Sequence, residues 1–141
     1  MQRLDRYLVG LVVAHFALTL VHASSHFALQ LLPTGWLDLV FILSVIMIGP
    51  IVGLLVLRFS RILAAGLLAV LLAASFVYGF YSHFLAPGPD NVTLVLSQTW
   101  TVVFVITAAL IGALEIAGGV VAAAVFWAAA RTPSEPAGPP G

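Results

Sequence analysis

The sequence predicts an all-α integral membrane protein, a bundle of four antiparallel transmembrane helices with both termini on the cytoplasmic side. Three observations lead there. Of the 141 residues, 62% are hydrophobic and only 7% are charged, against roughly 45–50% and about 25% in a soluble domain. Four apolar stretches each reach the ~20 residues that a helix needs to cross ~30 Å of hydrocarbon. All five basic residues are arginines, and they fall on one side of the topology that the stretches define.

The first span covers about residues 7–32 and is stopped by Pro33-Thr34-Gly35. The second covers about 36–57 and ends at Arg58-Phe59-Ser60-Arg61. The third covers about 62–84 and gives way to Pro87-Gly88-Pro89-Asp90, a turn sequence. The fourth covers about 97–130. Residues 1–131 therefore read as one membrane domain, and 132–141, rich in Pro, Gly and Ala, read as a disordered cytoplasmic tail. No internal repeat is visible.

Charge sets the orientation. Arg3, Arg6, Arg58, Arg61 and Arg131 share one side, while Asp38 and Asp90 lie on the other. Arginine excess marks the cytoplasmic face, which gives N-in, C-in in a plasma membrane. Tyr7 and Trp127 fall at the inner interface and Trp36, Tyr81 and Trp100 at the outer one, as aromatic belts do. A cleaved leader is the rival reading of the N-terminus, since Arg3 and Arg6 precede an apolar run that reaches Val21-His22-Ala23. His15 and His22 fall in or beside that run, and the run continues to Leu32, so the first span is expected to be retained.

Composition also excludes several functions. With no cysteine there is no disulfide, thiolate metal site or redox pair. A net charge of zero without basic clusters excludes a nucleic-acid footprint. The expected partner is the lipid bilayer, with a homo-oligomer or a larger membrane complex as the protein partners to consider. Within the spans, Gly49-Pro50 and Gly53 predict a kink in the second helix. Gly112, Gly118 and Gly119, extended by Ala108, Ala122 and Ala123, predict close helix approach along the fourth. Asp38 suits the start of a helix, where the dipole favours an anion.

The polar residues of the first span carry the functional argument. His15, Thr19, His22, His26 and Gln30 occupy a wedge only ~80° wide at 100° per residue. Such a stripe faces protein or water rather than lipid, and ionisable groups at this depth are costly enough to suggest a function. Glu115 is the one acid deep in any span, and His83 stands at the outer end of the third beside Tyr81 and Ser82. Counted from Arg6 and Arg61, His26 and His83 lie about 30 and 33 Å along their helices. His22, counted from Arg6, and Glu115, counted from Arg131, both come to about 24 Å. His22, His26, His83 and Glu115 are therefore expected to meet in the outer half.

Three imidazoles and a carboxylate suit a transition metal such as Zn, Cu or Fe. His26 and His83, level on two helices, are alternatively axial ligands of a b-type haem. His15, Thr19, Gln30 and Tyr81 would then support the ligands or pass protons. A third reading needs no cofactor: a His–Glu ladder that relays protons, because histidine titrates near neutral pH. The fourth is that these side chains only hydrogen-bond across helix interfaces in an accessory subunit. No enzymatic activity is implied by the pattern.

Overall fold

The computed structural model describes residues 2–31, 35–95 and 99–131. The proposed tail at 132–141, the Pro33-Thr34 stop and the first residues of the fourth span lie outside them. Among the described residues the chain is helical: α1 (Arg3–Ala28), α2 (Trp36–Val56), α3 (Arg61–Leu85) and α4 (Thr101–Ala130), each long and apolar enough to cross a membrane. The bounds differ from the sequence reading at α1, which starts four residues earlier and ends at Ala28 instead of residue 32, and at α4, which starts at Thr101 instead of about residue 97.

Helix α1 begins at a built cap. The Gln2 amide donates to Asp5 Oδ2 at 2.9 Å, and the other carboxylate oxygen accepts from Arg61 Nε at 2.8 Å. One acid thus satisfies the start of α1 and ties it to the start of α3. Ser60 caps α3 by accepting from the Leu63 amide.

The buried residues of α1 are Asp5, Leu8, Val12, His15, Thr19, His22 and Ser25, spaced by three and four as one face of a helix requires. That face is more polar than the outward one, where Val13, Leu20 and Phe27 are exposed. This is the reverse of a soluble amphipathic helix, and it fits a lipid surround. Helix α3 likewise turns Leu63, Val70 and Val77 outward at seven-residue intervals.

Two halves of the interior differ in chemistry. Towards Asp5 and Arg61, Leu8, Val12, Leu68, Leu72 and Val125 form an apolar core with Ala65 and Ala122. Towards the other end, polar residues of α1 meet α4: His15 bonds Glu115, and His22 bonds Thr107. The partners run in opposite order along the two helices.

The kink expected at Gly49-Pro50 takes the form of a seven-residue π-helical stretch, Ile42–Ile48, immediately before it. Pro50 has no amide hydrogen to give to the preceding turn, and the Gly49 amide reaches back to the Ser44 carbonyl instead. Beyond the proline, Gly53 lets α2 lie against α3: a Cβ there would come within 2.5 Å of Leu68 Cδ2. None of residues 36–48 is buried, so this half of α2 stands off the interior.

Of the glycines expected to bring α4 close, Gly118 does so, since an added Cβ would meet Leu72 Cδ1 at 2.8 Å. Gly119 faces open space. Gly118→Leu is therefore expected to destabilise the fold by about 1–3 kcal/mol, as overpacking does. Gly119→Leu should change it by no more than about 0.5 kcal/mol. Denaturation of the two variants in detergent micelles compares them, and equal losses would contradict the packing.

Candidate metal centre

His22 and His26 are one helical turn apart on α1, so their rings leave the same face. The end of the helix then completes the site. Gln30 takes a left-handed conformation, φ 58°, its amide returns to the Phe27 carbonyl, and the Leu31 amide returns to the His26 carbonyl. This is the paired bonding of a Schellman cap, with glutamine where glycine is commonest. The cap turns the Leu31 carbonyl back over the helix, where it accepts from His26 Nδ1 at 2.9 Å.

His83 belongs to a π-helical turn, Tyr81–Leu85, at the end of α3. The loop that follows is folded on a buried Asn91, whose side chain donates to the Ala86 carbonyl and accepts from Thr93. The Val92 amide bonds the His83 carbonyl. These contacts bring the Asp90 carbonyl to His83 Nδ1 at 3.0 Å. The Asp90 carboxylate lies 3.7 Å from His26 Nδ1, beyond hydrogen-bond reach but close enough to favour a donor there.

The third ring is set from α4. His22 Nδ1 lies 2.8 Å from Thr107 Oγ1, whose own proton goes to the Val103 carbonyl at 2.6 Å. A hydroxyl that has spent its proton accepts, so His22 Nδ1 donates. Carbonyls can only accept, so the same holds for His26 and His83. In their neutral form all three rings therefore carry their hydrogen on Nδ1 and a lone pair on Nε2.

Those lone pairs converge. His22 Nε2 is 3.0 Å from His26 Nε2 and 3.2 Å from His83 Nε2, and the ligand atoms of the trio all lie within 4.8 Å of one another. Three lone pairs this close repel unless a proton or a metal ion lies among them. Tetrahedral ligands about 2.0–2.1 Å from a zinc ion stand about 3.3–3.4 Å apart. The two short edges approach that spacing, and the trio can hold a metal ion. Phe104, fully buried, walls the group on one side, with ring centroids 5.0 Å from His22, 5.0 Å from His26 and 5.3 Å from His83.

Other residues singled out in the sequence are placed differently. Glu115 is absent from the trio: its carboxylate lies 3.1 Å from His15 Nε2, and both residues are buried. It stands level with His15, and Thr107 takes the place opposite His22. The depth count erred because it set Arg131 at the membrane edge, whereas the 30 residues of α4 extend about 45 Å. Thr19 donates to the His15 carbonyl of its own helix. Gln30 lies beyond the end of α1, exposed, with its side chain on the Phe27 carbonyl, so it has left the stripe. Tyr81 is 58% exposed and borders a separate surface hollow with Phe41 and Tyr78.

Sequence reasoning overlooked Thr107, Phe104 and the two carbonyls that orient the rings. Thr107 is an isolated hydroxyl on an apolar helix, with no polar neighbours at helical spacing to mark it. Asp5 sits between Arg3 and Arg6, and its bond to Arg61 on another helix is not visible in the sequence. The Asp38–Tyr78 bond, 3.2 Å, joins α2 to α3 and also lay outside the reading.

Hydrogen bonds behind a ligating histidine typically contribute 10- to 100-fold in metal affinity. Thr107→Val keeps the shape and removes the acceptor of His22, so it should weaken metal binding by about that factor. Gln30→Gly supplies the same cap with a residue suited to positive φ and should leave affinity within about twofold. Competition against a chromophoric chelator measures both, and a Gln30→Gly loss as large as that of Thr107→Val would contradict the assignment. Comparison with protein-family models, with curated proteins and with solved structures found no match, so the functional reading rests on this geometry alone.

Proposed function

We propose that the chain is an integral membrane protein that holds a single transition-metal ion on His22, His26 and His83, with a coordination position left open for a further ligand. The observation that carries this reading is the convergence of three Nε2 lone pairs whose opposite ring nitrogens are all committed as donors. Ordinary helix–helix glue pairs a donor with an acceptor, whereas three neutral imidazoles here would face one another with acceptors alone. Imidazole suits Zn, Cu and Fe, and three histidines with an open position are the ligand set of catalytic rather than closed structural zinc sites.

The bare ion is favoured over a b-type haem. His22 Nε2 stands 3.0 and 3.2 Å from the Nε2 atoms of His26 and His83, where a macrocycle between two axial ligands would have to pass. A proton ladder running outward from His15 is less well supported, because among the described residues no hydrogen bond joins the His15–Glu115 pair to the group of His22, His26 and His83. In the membrane the four helices would cross up-down-up-down, with both termini in the cytoplasm and the metal in the outer half of the plasma membrane. The arginine distribution supports that orientation. Homo-oligomers or a larger complex are compatible with the many exposed apolar side chains.

Protein purified in mild detergent without chelator should carry close to one Zn, Cu or Fe per chain by elemental mass spectrometry. His22→Ala with His26→Ala should reduce this at least tenfold while the protein still elutes as a monodisperse species. Failure of the native chain to bind any of the three after repletion would overturn the reading. The chain has no cysteine, so single cysteines at Phe59 and Gly88 report orientation. An impermeant maleimide should label only Gly88→Cys in intact cells, and the reverse pattern would invert the topology.

A further inference from the structure

A cavity of ≈770 Å³ opens beside the three histidines and runs along the bundle as far as Glu115. Its size falls within the range of about 300–1,000 Å³ usual for small-molecule sites. Its polar groups gather mainly at the histidine end, and the wall between is apolar. Helix α2 supplies Ile42, Ile46 and Met47 from its π-helical stretch, and α3 supplies Phe76. Across from Phe76, Gly112 leaves room that a side chain would occupy, the nearest ring atom being 3.7 Å from an added Cβ.

Two observations point to an occupant. Ser75 lines the cavity, is fully buried, and its Oγ has no hydrogen-bond partner among the described residues. A buried hydroxyl left unpaired is costly, and a small shift of the Ser75 side chain would offer it to a ligand in the cavity. Glu115 also lines the cavity, with His15 as its one hydrogen-bond partner among the described residues. The wall supplied by α2 belongs to the half of that helix with no buried residue, which places only one layer of side chains between cavity and surroundings.

We propose that this cavity binds a lipid-soluble molecule taken from the bilayer, an apolar chain or ring body bearing an oxygen head group that is directed to the histidine trio. The proposal rests on the metal reading for the head group, since the open position is what an oxygen donor would fill. The aliphatic wall selects the body. A water-soluble substrate of the same size would leave its polar groups unpaired along Ile42, Ile46 and Phe76, whereas an alkyl chain or fused ring matches them. Ser75 and Glu115, beyond the apolar stretch, offer hydrogen bonds to a second polar substituent or to water that accompanies the ligand.

Decanohydroxamic acid with a diazirine in its chain tests this: the hydroxamate ligates metals and the chain reports its surroundings. With the full-length, metal-loaded protein in nanodiscs, irradiation should label Ile42, Ile46, Met47 or Phe76. Gly112→Leu and Met47→Trp, which fill the cavity from opposite walls, should each reduce that labelling at least tenfold while the metal stays bound. Labelling spread over the outward residues Val70 and Val120, or unchanged in both filled variants, would overturn the proposal. The same test in His22→Ala with His26→Ala separates the two readings. Cavity labelling that persists there and still falls in the filled variants supports the lipid site and overturns the metal as its anchor. Cavity labelling lost together with the metal supports both.

Discussion

The polar side chains on the buried face of α1 find partners within the protein, with only the His15 Nδ1 atom left unpaired among the described residues, and this pairing governs how the helices meet. In hydrocarbon no water is present to satisfy a stranded donor or acceptor. Asp5 is answered by Arg61 on α3, His15 by Glu115 and His22 by Thr107 on α4. These three tie points, spread over some seventeen residues of α1, specify the rotation and the height of the neighbouring helices. Apolar packing around Leu8, Leu68, Leu72 and Val125 fills the space between the ties but is less selective of register. Small residues such as Gly118 then let the backbones approach closely enough for the polar contacts to form.

The histidine trio follows from that arrangement and from two chain reversals. A Schellman cap at the end of α1 and an Asn91-centred loop after α3 each aim a backbone carbonyl at a ring nitrogen. The lone pairs are thus held by backbone geometry as much as by side chains. Loss of one ligand would therefore leave the other two rings anchored, each by its own carbonyl or hydroxyl.

The four spans, the inward polar face of α1 and the gathering of His22, His26 and His83 were legible in the sequence, because composition, helical periodicity and spacing determine them. The depth of Glu115 was not. Helix α4 runs for 30 residues, more than the ~20 that suffice to cross hydrocarbon, so counting from its terminal arginine misplaced Glu115. Gln30 shared the angular stripe, yet the chain left the helix at Ala28, two residues before it could use that position. The role of Thr107 was illegible for a different reason: a hydroxyl becomes an acceptor for His22 only once its proton is committed to Val103, a fact of three-dimensional contact. The cavity was equally hidden, since it exists because the π-helical half of α2 stands away from the interior.

Three imidazoles, each through Nε2, would form one coordination site with an open position. X-ray absorption at the edge of the bound metal tests it most directly. For zinc the expected shell is three imidazole nitrogens at about 2.0–2.1 Å with one additional light donor. Replacement of His83 should lower the imidazole count to two, and replacement of Glu115 should leave it unchanged. A shell with fewer than three imidazoles, a porphyrin signature, or a loss of one ligand with Glu115→Gln would contradict it.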